Sequence, residues 1–186
     1  MKITLVRHGK PTAAVNPKVS ATGFAKWVRD YKLSKVDVSS LPPEQLTNSL
    51  TSHYIVSSSL PRAIDSAYLC TNKMPDLILT QIKEMDIPRY KCPFVLKAYT
   101  WLIMSRILWI LGFNGKVESF KTAKIRARNS ANTLRSLAIQ HENIVVFGHG
   151  MINKYIAKEL TKQGWISVST GKGYWNTTTL TLNALY

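Results

Sequence analysis

The chain has 186 residues, 45% of them hydrophobic, which suits one domain with a substantial core and excludes collagen-like, disulfide-scaffold and disordered classes. Its 25 Lys and Arg against 10 Asp and Glu give a formal charge of +15, a field that attracts phosphorylated metabolites, nucleic acid or an acidic membrane surface. No basic run is interleaved with stacking aromatics, which counts against nucleic-acid binding as the main function. Cys70 and Cys92 have neither metal-ligand nor disulfide spacing, and the apolar stretch Ile3–Val6 is far too short for a signal-peptide core. A cytoplasmic protein is expected.

Lys2–Val6 reads as a short buried strand that stops at Arg7-His8-Gly9. Ser20 or Thr22 can cap a helix from about Gly23 to Leu33. Residues 39–48, with Pro42-Pro43, form a loop containing at most a short turn. Tyr54–Val56 is a second short strand, ending in three serines. Pro61 suits the first turn of a helix that runs to about Asn72. Asp76–Thr80 is strand-like. Phe94–Phe113 is a long apolar stretch, and Ser119 caps a strong helix to His141. Asn143–Phe147 is a buried strand that ends at Gly148-His149-Gly150, with a helix following to about Gln163. Thr177–Leu182 alternates like a strand. This alternation predicts a single α/β domain over residues 1–186. It would be a three-layer α/β/α sandwich around a mainly parallel sheet.

Ligands of open α/β sheets bind beyond the carboxyl ends of the strands. Four predicted strand ends would bring Arg7, His8, Arg62, Glu84 and His149 to one rim. Transfer of a phosphoryl group is mainly positioning and charge stabilisation, a task suited to the arginine fork. An unprotonated imidazole nitrogen can attack phosphorus, and a carboxylic acid can protonate the leaving oxygen.

Four ordered motifs carry a resemblance to the histidine phosphatase superfamily, the phosphoglycerate-mutase-like fold. Leu5-Val6-Arg7-His8-Gly9 is similar to its signature, and the stretch from Ser57-Ser58-Ser59 through Arg62-Ala63 is similar to its serine-rich strand end and helix start. Lys83-Glu84-Met85-Asp86 falls where its proton donor stands, and Phe147-Gly148-His149-Gly150 resembles its second histidine motif. Ser20-Ala21-Thr22-Gly23 resembles an early family element. The resemblance covers nearly the whole chain apart from about residues 89–118, which it implies are a helical insertion. The resemblance implies a phosphatase that needs no metal or other cofactor. His8 would become phosphorylated, Arg7, Arg62 and His149 would bind the phosphoryl oxygens, and Glu84 would act as acid and base. Asn16, Ser58 and Gly150 are further candidates for contact with the phosphate.

Lys10 and Pro11 depart from the usual residues after the first motif. The aromatic-glycine segment that often follows the acid is absent, so Asp86 competes with Glu84 as donor. The expected substrate is a phosphorylated small molecule. Alternatives are a signalling phosphatase acting on phosphohistidine in a partner protein, a phosphoglycerate-mutase-type transferase, and a non-catalytic anion or nucleic-acid binder. Phe94–Phe113 holds Lys97 and Arg106 on roughly opposite sides, which leaves three readings: a buried or lid helix, a homodimer interface, or membrane-surface contact.

Overall fold

Alternate residues of the central strands enter two different cores, and this divides the molecule into layers. In the computed structural model, which describes residues 1–50 and 52–182, β1 (Lys2–Arg7), β3 (Tyr54–Ser58) and β6 (Asn143–Gly148) are almost wholly buried. Ile3, Leu5, Val56, Ile144 and Val146 face a core with α5 (Phe120–His141) and α6 (Gly150–Lys162). Val6, Ile55, Val145 and Phe147 face the other way, against α3 (Pro61–Thr71) and the short α2 (Glu44–Asn48). Period-two burial on both sides is what a sheet covered by helices on each face requires.

The six-stranded sheet has the order β4-β3-β6-β1-β8-β7. Strand β4 (Leu77–Leu79) and strands β3, β6 and β1 run parallel, while β8 (Thr177–Thr181) is antiparallel to β1 and pairs with β7 (Ile166–Thr170) as a hairpin. The mainly parallel α/β sandwich expected from the sequence is therefore present. The hairpin partner β7 and a two-stranded ribbon of β2 (Lys18–Val19) with β5 (Leu96–Lys97) are additions to that expectation.

The helix starts follow their local chemistry. Ser20 and Ser119 cap α1 (Ala21–Leu33) and α5, their hydroxyls accepting from Gly23 and Thr122 amides. Pro61 stands in the first turn of α3. Within the apolar 94–113 stretch, α4 (Ala98–Ile110) turns Ala98 and Trp101 onto Phe24, Trp27 and Val28 of α1, a small third core beside the main sandwich. Phe24 stacks between Trp27 and Trp101.

Candidate active site

Strand register assembles the centre. Arg7 pairs with Gly148 across β1 and β6, and Ser57 pairs with Phe147 across β3 and β6. His8, Ser58 and His149 therefore leave the sheet side by side at the carboxyl ends of parallel strands, where such sheets bind ligands. The His8 amide donates to Gly148 O at 3.1 Å, and the two imidazole centroids are 5.0 Å apart.

The tautomer of His8 follows from its partners. Arg62 Nε, which can only donate, lies 3.2 Å from His8 Nε2, so Nε2 presents its lone pair. The ring proton then sits on Nδ1 and donates to Gly9 O at 2.7 Å. Burial, reinforced by the charges of Arg62 and Arg7 and only partly opposed by the Gly9 bond, lowers the His8 pKa to about 3. A neutral imidazole that keeps the Nε2 lone pair is the state a nucleophile needs.

His149 is fully buried. Its Nε2 lies 2.8 Å from Ser58 Oγ, and burial together with the Arg62, His8 and Arg7 charges holds its pKa well below the usual value. Its Nδ1 and the Nε of Arg7 are buried without a hydrogen-bond partner among the described residues. Buried polar atoms are rarely left in this state. Two such atoms from the two Gly-flanked motifs suit a ligand rich in acceptor oxygens.

Arg62 is only 2% exposed. Burial lowers its pKa, and the nearby Tyr31, Glu84 and Tyr174 oppose that shift. Its Nη1 donates to Tyr31 O and Lys32 O, and its guanidinium lies over the Tyr31 ring. Arg7 Nη1 donates to Gly173 O at 3.2 Å, and its guanidinium lies 4.6 Å from the Tyr174 ring centroid. That tyrosine is also 5.8 Å from the His8 ring. The β7–β8 loop thus lies over Arg7 and His8. A cavity of about 460 Å³ between α6 and this hairpin touches Arg7 and Gly150 but none of His8, Arg62 and His149.

Close packing explains two of the motif glycines. A Cβ on Gly9 would lie 2.5 Å from the Trp175 ring, and one on Gly148 would lie 2.3 Å from Asn153 Oδ1. Gly150 starts α6 beside the Arg7 guanidinium, at ordinary contact distance.

Glu84 sits at the N-terminus of α6. Its carboxylate accepts from the amides of Met151 and Ile152 at 3.3 and 3.1 Å, and from its own neighbour Met85 at 3.0 Å. Two guanidiniums that sequence reasoning missed hold the backbone on either side of it. Arg126 of α5 donates to Gln81 O and Lys83 O, and Arg106 of α4 donates to Met85 O and Asp86 O. Asp86, the rival donor, is committed to Lys32 at 2.9 Å. Asn16 is not gathered into the centre: its Oδ1 accepts the Tyr99 amide at 2.9 Å, in the first turn of α4. The cover residues Tyr31 and Tyr174 carry no motif, and only their proximity to arginines in the fold marks them. Among the described residues no group of three His, Cys, Asp or Glu side chains converges as for a metal ion.

The family model of the histidine phosphatase superfamily (branch 1) matches residues 3–171, and the chain belongs to that family. No curated protein matches the sequence significantly. Solved structures share the fold at low identity. Phosphoserine phosphatase from Entamoeba histolytica, solved with 3-phosphoglyceric acid, aligns with TM-score 0.60 and 17% identity over 96% of this chain and 89% of its own. The α-ribazole phosphatase of Shigella flexneri aligns at 0.60 and 15% over 99% and 92%. The ecdysone phosphate phosphatase of Bombix mori, solved with tungstate, aligns at 0.59 and 12% over 96% and 88%.

Proposed function

We propose that the chain hydrolyses a phosphomonoester through a phosphohistidine on His8. The observation that carries this reading is the Nε2 lone pair of His8, fixed by the Gly9 and Arg62 hydrogen bonds and kept neutral by burial. The family match and the phosphatase names of the structural relatives support it.

The chemistry divides into two displacements. The His8 Nε2 lone pair attacks phosphorus, and the bond to the ester oxygen breaks with its electron pair leaving on that oxygen. Glu84 delivers the proton that the oxygen needs. Arg62 Nε–H, parked on Nε2 in the resting site, transfers to a phosphoryl oxygen as substrate enters. Arg7 Nε–H and the His149 ring supply further donors, so charge is met by groups already in place. Water then attacks the phosphohistidine as the Glu84 carboxylate takes its proton. The N–P bond breaks, its electron pair returns to Nε2, and phosphate leaves. Ser58 orients His149, and Gly150 lies beside Arg7 at the start of α6. The substrate is a phosphorylated small molecule.

The test is steady-state hydrolysis of p-nitrophenyl phosphate. Wild-type protein releases nitrophenol, and chelator leaves the rate unchanged. His8→Ala lowers kcat by more than about 10³-fold, and Glu84→Gln lowers it by about 10²–10⁴-fold. A His8→Ala protein with wild-type kcat contradicts the assignment.

A further inference from the structure

The inward side of α4 is spent on α1 and on the Glu84 segment, through Ala98, Trp101 and Arg106. Its outward side is left largely uncovered by the described residues. Ile103, Ile107 and Ile110 repeat at helical spacing and are 61%, 54% and 49% exposed. Leu111 and Phe113 continue this ridge past the helix end at 68% and 62% exposure. Contiguous exposed apolar ridges on soluble domains mark contact surfaces.

The charges around the ridge select its partner. From Arg89 to Val117 the chain has no Asp or Glu, while Arg89, Lys91, Lys97 and Lys116 are exposed. Lys97 immediately precedes α4 and Lys116 follows it, and the Tyr90 hydroxyl bonds to Phe113 O, which brings Arg89 and Lys91 to the carboxyl end of the ridge. Cations therefore flank the apolar face at both ends. A two-fold dimer through this face would oppose the patch to itself, setting the cations of one copy against a patch whose own flanks are cationic, with no acid in the segment to pair them. The chain's formal charge of +15 adds to that repulsion. An anionic bilayer meets both demands: acyl chains for the isoleucines and headgroup charge for the cations. No helix among the described residues is long and apolar enough to cross a membrane, so contact is confined to the surface.

We infer that α4 and its cationic flanks dock the protein on an anionic lipid surface. The inference stands on this face alone and is independent of the reaction at His8. Each flanking cation near such a surface strengthens binding about fivefold.

Sedimentation with large unilamellar vesicles tests it. Wild-type protein should pellet with phosphatidylcholine vesicles containing phosphatidylglycerol, and far less with phosphatidylcholine alone or in high salt. Ile103→Glu with Ile107→Glu should reduce anionic-vesicle binding at least tenfold. Both positions are exposed, so the thermal midpoint should stay within about 2 °C of wild type. Lys97→Glu with Lys116→Glu should weaken binding while the ridge is intact. Wild type that stays in the supernatant with anionic vesicles overturns the inference. So does binding unchanged by both double variants, or a dimer in analytical ultracentrifugation that the isoleucine variant dissolves.

Discussion

At the scale of single residues, the site rests on which nitrogen carries a proton. His8 has its Nδ1–H held by Gly9 O, and His149 has its Nε2 held by Ser58. Ser58→Ala removes the partner that orients His149, and kcat for p-nitrophenyl phosphate should fall about tenfold with little change in thermal midpoint. Arg62→Lys keeps the charge but loses the planar fork that reaches both His8 and the carbonyls of Tyr31 and Lys32. It should lower kcat by about 10²–10³-fold, the usual consequence of losing an oxyanion donor. The residues that the structure gathers at strand ends, Arg7, His8, Arg62 and His149, were legible because each follows a buried strand or starts a helix within a recognisable motif. Tyr31 and Tyr174 were not, because their approach to the arginines depends on how α1 and the β7–β8 loop fold back over the sheet. Asn16 looked available for the same reason: its use at the start of α4 depends on a contact more than eighty residues away in the chain, |i−j| = 83.

At the scale of elements, strand register and two arginine clamps fix the geometry. Gly148→Ala would push a methyl group to 2.3 Å from Asn153 Oδ1, whose Nδ2 holds Val6 O at 3.1 Å. Overpacking of this kind costs about 1–3 kcal/mol, measurable by urea unfolding, and it should disturb the placement of His149 as well. Arg126→Ala leaves the Lys83 carbonyl and the Glu118 carboxylate without their donor, and the Gln81 carbonyl with only the Ser130 hydroxyl. About 2 kcal/mol of stability should be lost, with a drop in kcat that exceeds any change in KM because the Glu84 segment loosens. The main helices and buried strands were legible from periodicity and caps. Strand β7 was not: Ile166-Ser167-Val168-Ser169 alternates only briefly and every residue of the strand is exposed, so no core stands behind the pattern, and the strand exists by pairing with β8 at the sheet edge. The β2–β5 ribbon is two residues per strand and gives no pattern at all.

At the scale of the whole molecule, the fold holds two imidazoles neutral in its interior among arginines. Both have folded pKa values below the ordinary 6.5, His8 at about 3. The unfolded chain therefore binds more protons than the native one below pH 6.5. Stability should be full above that pH and decline as pH falls toward 3, by up to about 1.4 kcal/mol per unit for each ring. Thermal midpoints between pH 7 and pH 5 should fall for wild type and fall less steeply for His8→Gln. Bound phosphate should counter the decline, since an anion between the arginines offsets the repulsion that opposes protonation of the rings.

The claim on which the catalytic account depends is a covalent bond between His8 Nε2 and phosphorus. Rapid acid-free quenching of the protein mixed with a ³²P-labelled phosphomonoester, followed by peptide mapping, tests it. The account predicts a base-stable, acid-labile phosphopeptide containing His8, absent from His8→Ala and longer-lived in Glu84→Gln. Efficient turnover with no label on His8, or label carried by another residue, would contradict it.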